Sequence, residues 1–180
     1  MKKVLSFDIS SSTIGWSIIK YNKDEYVLEE YGHIKPPQKE KEKIIKLSET
    51  YNIIKKLLDE KKPDEIAVEQ YANKFTRGKS TANTIIVLST YNEMVKLCCY
   101  REKNLLCNQY AATSIRSKIG KYFNKEIKNK DDAFDYVKNN VKNFKTISNK
   151  LNNIKKECYD EADSICVGIC HFISKSQEAK

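Results

Sequence analysis

Asp8, Glu69, Asp160 and Asp163 are the residues of this chain whose settings call for chemistry. Asp8 interrupts the otherwise apolar or small run Val4-Leu5-Ser6-Phe7-Asp8-Ile9. Glu69 ends the apolar run Ile66-Ala67-Val68. A carboxylate in a buried strand is costly unless it is paired or holds a cation. Asp160 and Asp163 are spaced i, i+3, which puts both on one face at the start of the last apolar helix and turns Glu161 elsewhere. Four converging carboxylates repel one another and need a counter-charge. Mg²⁺, with Mn²⁺ as a substitute, supplies it and prefers oxygen ligands. Two such ions about 3.5–4 Å apart suit in-line phosphodiester displacement, one activating water and the other stabilising the leaving 3′ oxygen. The plainer reading is that Asp160 and Asp163 are first-turn acids favoured by the helix dipole, and that Glu69 is an exposed strand end. Asp8 has no such simple structural account.

The elements that must position these acids follow from periodicity. Residues 3–9 alternate as a strand, with Val4, Ser6 and Asp8 on one face and Leu5, Phe7 and Ile9 on the other. The polar turn 10–13 and Gly15 lead to a second strand at 16–21 and, after 22–24, a third at 26–34. These make an antiparallel meander. Pro36 and Pro37 end it. Residues 40–61 carry apolar residues at helical spacing. A short strand follows at 65–70, parallel to the first. A basic, aromatic loop spans 71–79. A helix at 80–102 opens with Ser80 or Thr81 as cap. Next come a strand at 105–110, a helix at 114–122 capped by Thr113 or Ser114, a helical pattern at 131–144, a polar linker at 149–156 and a helix at 160–174. The order β-β-β-α-β-α-β-α-α-α gives one α/β domain over 1–180. Its mixed five-stranded sheet has three antiparallel strands, then parallel βαβ units, and is flanked by helices. Residues 121–156 read as a Lys/Asn-rich helical insertion and linker.

Composition agrees with a soluble domain that meets a polyanion. Lys+Arg 33 against Asp+Glu 24 leaves a net charge of +9. No apolar run approaches the ~18 residues of a membrane span, and the N-terminus has no apolar signal core. The six cysteines lack the close pairing of a structural zinc site. They read as buried free thiols in a reducing compartment, and the expected location is cytoplasmic, within the host cell for a virus.

Three segments in order resemble the RuvC family of Holliday-junction resolvases in the ribonuclease H-like superfamily. Phe-Asp-Ile-Ser-Ser-Ser-Thr-Ile-Gly-Trp-Ser (7–17) is similar to the family's opening strand and turn. Ile-Ala-Val-Glu-Gln (66–70) is similar to its second acidic strand, and Tyr-Asp-Glu-Ala-Asp-Ser-Ile-Cys-Val-Gly (159–168) to its final acidic helix. The resemblance implies a ribonuclease H-like fold and a homodimeric, Mg²⁺-dependent endonuclease that resolves four-way DNA junctions by paired nicks. Asp8, Glu69, Asp160 and Asp163 would be its catalytic metal ligands. It also implies a junction-probing loop after Glu69, where the family's usual aromatic falls on Ala72, between Tyr71 and Phe75. Residues 111–118 resemble the family's basic segment facing the scissile phosphates. Arg116 stands where the family has a lysine, so a planar fork replaces a point charge. The long Lys/Asn-rich 121–156 fits a viral or phage member.

The expected nucleic-acid contacts are Tyr71, Lys74, Phe75, Arg77 and Lys79 in the loop, then Arg116, Lys118 and Lys121. Aromatics among cations can stack on exposed bases. Lys125, Lys128 and Lys130 form a third basic patch. Cutting two opposed strands needs two sites about a two-fold axis; the resemblance implies the helix at 80–102 as the dimer interface, and that helix is apolar on several sides. His33 reads as structural or exposed, and His171 as a candidate neighbour of the metals. Two other readings keep the fold. One is a nuclease of other branched DNA or RNA–DNA hybrids. The other is a non-catalytic junction-binding module, against which an intact set of four acids argues. A phosphotransferase of the same superfamily needs a longer chain and a Gly-rich phosphate loop.

Overall fold

The computed structural model describes residues 1–71 and 82–178. The order of elements is β1 (Lys2–Ile9), β2 (Ile14–Tyr21), β3 (Tyr26–Ile34), α1 (Lys43–Lys61), β4 (Glu65–Gln70), α2 (Ala82–Lys103), β5 (Cys107–Ala111), α3 (Ala112–Phe123), α4 (Lys130–Asn140) and α5 (Glu157–Glu178). They form a five-stranded sheet in the order β3-β2-β1-β4-β5. β1 is antiparallel to β2 and parallel to β4, and β4 is parallel to β5. The mixed sheet expected from the sequence is therefore present.

Period-two alternation along β1 divides the core. Leu5, Phe7 and Ile9 pack with Ile54, Leu58, Val95 and Cys99 beneath α1 and α2. Val4 packs on the other side with Ile165, Ile169 and Phe172 of α5. Ser6 shares that second face, and its hydroxyl meets Ser17 Oγ at 2.7 Å. A Cβ on Gly168 would stand 2.7 Å from Ser6 Oγ and from Ile19 Cδ1, so a larger residue would have to displace these side chains or lift α5 from the sheet. That close approach carries the acids of α5 onto the sheet.

Several boundaries differ from expectation. α3 begins at Ala112, and its N-cap is Ala111, with no side-chain cap, rather than Thr113 or Ser114. The helical pattern at 131–144 stops at Asn140. Val141 turns extended and Asn143 adopts φ 73°, although Val141 and Phe144 stay buried. Apolar spacing registers burial and not helix, so it carried the expectation past the true end. β5 starts at Cys107, two residues late, after the left-handed Asn104. α5 starts at Glu157, so Asp160 lies in its first turn and Asp163 does not; the dipole reading fails for Asp163. The expected caps Ser80 and Thr81 lie outside the described residues. The cysteines are free thiols, buried except for the half-buried Cys107. Among the described residues no helix is long and apolar enough to cross a membrane.

Candidate active site

Three elements deliver the four acids to one end of the sheet. Phe7 pairs with Val68, so the next step sets Asp8 beside Glu69 at the carboxyl ends of two parallel strands. Open α/β sheets hold their ligands in the crevice at that end. α5 crosses the same face. Its start is held by the ion pair between Lys35 and Glu157 and by Gly15, where a Cβ would lie 2.0 Å from the carbonyl oxygen of Asp160. Glu161 turns inward instead and meets His33 Nδ1 at 2.7 Å. His33 is therefore a structural partner at the base of the helix.

Asp8, Glu69 and Asp163 line a cleft of about 100 Å³ together with Arg116, Lys130 and Cys166. Asp160 stands at its edge, with Oδ1 4.0 Å from Lys130 Nζ. Lys130 Nζ is 2.5 Å from Asp163 Oδ2. Burial pushes the Asp8 carboxyl well above the usual carboxylate range, and the nearby Glu69, Asp163 and Asp160 add to it. Glu69 is raised to about 7 by burial and by Asp163, with Lys130 and Arg116 opposing. Burial also raises Asp160 and Asp163, and Lys130 restrains both. Burial alone would lower Lys130, but Asp163, Asp8 and Asp160 more than offset it and hold its ammonium charged. The Cys166 thiol is pushed far up by burial and stays protonated.

This donor set has the chemistry of a divalent-cation site: oxygen ligands only, buried, mutually repelling and short of positive charge. Among the described residues no three such groups are yet drawn together as closely as metal ligands. The Lys130 ammonium is the counter-charge in the arrangement seen. The sequence groups Lys130 with Lys125 and Lys128 as a basic patch, and its place among the acids of the cleft is what that reading missed. The signal was present in Asn129 and Asp132. These form a capping box, with Asn129 Oδ1 accepting from Asp132 N at 2.9 Å, and so fix the helix start that aims Lys130 at the cleft.

The remaining expected residues separate. Arg116 faces the cleft, and its Nη1 donates to the Lys128 carbonyl at 3.4 Å. Lys121 is exposed beside it along a groove of about 460 Å³. Lys118, two residues on, points away from the cleft, donating to Ser174 Oγ at 2.7 Å with its ammonium over the Tyr110 ring. Tyr71 is half-buried just past β4. Lys74, Phe75, Arg77 and Lys79 lie outside the described residues.

His171 does not neighbour the acids. Eight residues along α5 from Asp163 is about 12 Å of helix, and it lands beside Glu65 at the other end of β4. There His171 Nε2 meets Glu65 Oε2 at 2.5 Å, and Tyr110 Oη is 2.9 Å from Nδ1. Burial lowers His171, which stays neutral; Nε2–H then donates to Glu65 and Nδ1 accepts from Tyr110. The expectation failed because two turns along α5 carry His171 about 12 Å away from the acids.

No family model matches the chain. The chain is 28% identical over 170 residues to the crossover junction endodeoxyribonuclease RuvC of Finegoldia magna, which covers 94% of this chain and 92% of that protein. In fold it is similar to Thermus thermophilus RuvC in complex with a Holliday junction substrate (TM-score 0.72, 12% identity, 97% of this chain and 96% of that one). It is also similar to the yeast mitochondrial Holliday junction resolvase Ydc2 (TM-score 0.68, 15% identity, 98% and 81%) and to the fowlpox virus resolvase with its junction DNA (TM-score 0.61, 14% identity, 96% and 98%). The sheet order and flanking helices are those of a ribonuclease H-like α/β protein. Within that fold, the chain is similar over nearly its whole length to a RuvC protein.

Proposed function

We propose that the protein is a structure-selective endodeoxyribonuclease that resolves four-way DNA junctions by paired nicks. The carrying observation is the convergence of Asp8, Glu69, Asp160 and Asp163, from three elements remote in sequence, on one cleft faced by Arg116 and Lys130. The relatives named for junction cleavage support it. The four carboxylates are the groups that would hold Mg²⁺, or Mn²⁺ in its place. Such ions, when bound, supply Lewis-acid charge to the scissile phosphate and lower the pKa of an attacking water.

This chain's own residues do the rest. Asp8 and Glu69 sit on paired strands of the sheet core, so their separation is rigid. Asp160 and Asp163 ride on α5, whose approach Gly15 and Gly168 set. Arg116 and Lys130 are the cations placed to meet a phosphate drawn into the cleft, and Arg116 can do so with two parallel donors. Cys166 and Ala133 give the floor an apolar character that strengthens these charges.

The protein acts as a homodimer through α2. Tyr91, Val95, Cys98 and Cys99 face inward, while Ile86, Leu97 and Tyr100 form an apolar stripe on the opposite side, each more than half exposed. The paired nicks follow from two sites about a two-fold axis.

Substrate choice tests this reading. A labelled four-way junction, an RNA–DNA hybrid and a linear duplex are offered at equal concentration with Mg²⁺. Preferential cutting of the junction supports it. Equal cutting of all three keeps the chemistry and removes the junction preference. Tight junction binding without cutting identifies a binding module instead.

A further inference from the structure

The connection between α4 and α5 is not needed to build the acid cleft. We propose that the turn over 145–156 is a second nucleic-acid contact surface. In it, Lys145, Lys150 and Lys155 grip the phosphate backbone of a duplex arm beside the cleft, and Leu151 is the apolar tip. The inference rests on the junction-nuclease reading above and names a part of the protein that would hold the substrate.

The turn is built and fixed. Tyr31 Oη accepts from Lys145 N at 2.9 Å and donates to the Lys145 carbonyl at 3.1 Å. Asn149 Oδ1 accepts from Leu151 N at 2.9 Å and from Asn153 N at 3.1 Å, while Asn149 N donates to the Asn153 carbonyl at 2.8 Å. Asn152 takes the left-handed φ of 60°, which asparagine tolerates. Lys155 N donates to the Ile147 carbonyl at 2.8 Å, and Ile154 packs against the core.

This turn displays apolar side chains among lysines. Leu151 is 79% exposed at its tip and Ile147 is 57% exposed on its side. Residues 141–156 hold five lysines and no acid. Lys142, Lys145, Lys150, Lys155 and Lys156 are all exposed, and among the described residues none has a carboxylate within ion-pair distance. Some lysines elsewhere are neutralised locally, as Lys61 is by Glu30 and Lys103 by Asp59. Unpaired lysines around an apolar tip match a phosphate backbone flanking a groove, into which minor-groove proteins press leucine or isoleucine.

The position fits as well. The turn runs directly into α5, four residues before Asp160. Lys156 is close enough to restrain the rise of the Asp160 carboxyl. The surface is thus the lip of the cleft, within reach of the arm that carries the scissile phosphate.

The test compares the full-length wild type with the triple variant Lys145→Gln/Lys150→Gln/Lys155→Gln and with Leu151→Asn. All of these side chains are exposed, and equal thermal melting checks the fold. Binding of a fluorescent four-way junction is followed in EDTA across a salt series. Cleavage is followed in Mg²⁺ under single turnover with enzyme saturating. The triple variant should bind about tenfold more weakly near 0.1 M salt, with the slope of log affinity against log salt reduced by about 2 to 3. Its cleavage rate at saturation should stay within about twofold. Leu151→Asn should weaken binding severalfold and leave the slope unchanged. A triple variant with wild-type affinity and slope overturns the surface and leaves the nuclease reading standing. Wild-type protein that binds no junction overturns both.

Discussion

Gly15 holds the place into which the backbone of Asp160 fits: a Cβ on Gly15 would come within 2.0 Å of the Asp160 carbonyl oxygen and 2.4 Å of its carbon. Gly15 is also the cross-strand partner of Asp8. A single missing side chain therefore sets the distance between the acid on β1 and the acids on α5.

Gly15→Ala is accordingly a test of geometry. Backbone cannot yield as a flexible side chain does, so the start of α5 must move. The variant should lose about 1–3 kcal/mol of stability, in the range of other overpacked sites. It should also lose Mg²⁺-dependent cutting by at least tenfold while keeping junction binding in EDTA. Unchanged cutting would mean that Asp160 is not held by this contact.

The acid cleft predicts a dependence of stability on pH. Glu69 is raised from 4.5 to about 7 by burial and the nearby Asp163, so the folded state favours its protonated form. That contribution is full below pH 4.5 and is lost as pH rises toward 7. In EDTA, wild type should lose about 2 kcal/mol relative to Glu69→Gln between pH 5 and pH 8, given ~1.4 kcal/mol per pKa unit. Chemical denaturation of both proteins at the two pH values checks this. Mg²⁺ at pH 8 should raise the midpoint of wild type more than that of Glu69→Gln.

The far end of the sheet has the opposite sign. Burial alone would raise Glu65, but hydrogen bonds from Lys2, Tyr21 and His171 bring it down to about 2. Its contribution is present above pH 4.5 and lost as pH falls toward 2. Burial lowers His171, so its contribution is complete above pH 6.5 and declines below it. These two groups therefore withdraw stability from pH 6.5 downward, opposing the gain from Glu69 over the same range. Glu65→Gln should be of the order of 2 kcal/mol less stable at pH 7, with a shallower decline below pH 4.5, measured by urea titration.

Assembly is tested on α2. Leu97→Glu with Tyr100→Glu changes two exposed residues of the outer stripe. Sedimentation should show a dimer for wild type and a monomer for the variant. The variant should melt within a few degrees of wild type yet make no paired nicks. A dimeric variant would place the interface elsewhere.

Much of this was legible in the sequence because alternation and turn chemistry are local. β1 was readable from period two, β2 and β3 from their Gly, Asn and Pro punctuation, and the parallel β4 from its short apolar run. Asp8 stood out because a carboxylate in an apolar strand has so few structural explanations. What escaped depended on three-dimensional register. Lys130 looked like one more lysine in a polar stretch until its helix start was known. His171 shared a face with Asp163 but lay at the other end of α5. Lys118, two residues from Arg116, was turned away by the rotation of α3. Gly15 read as turn punctuation, because its close contact is with a helix 145 residues later in the chain.

The most direct measurement is cleavage of a labelled four-way junction by wild type and Asp8→Asn, each in Mg²⁺ and in EDTA. The account predicts symmetric paired nicks by wild type in Mg²⁺. It predicts loss of at least a hundredfold in rate for Asp8→Asn and in EDTA, with junction binding retained in both. Cutting by Asp8→Asn at the wild-type rate, or cutting that persists in EDTA, would contradict it.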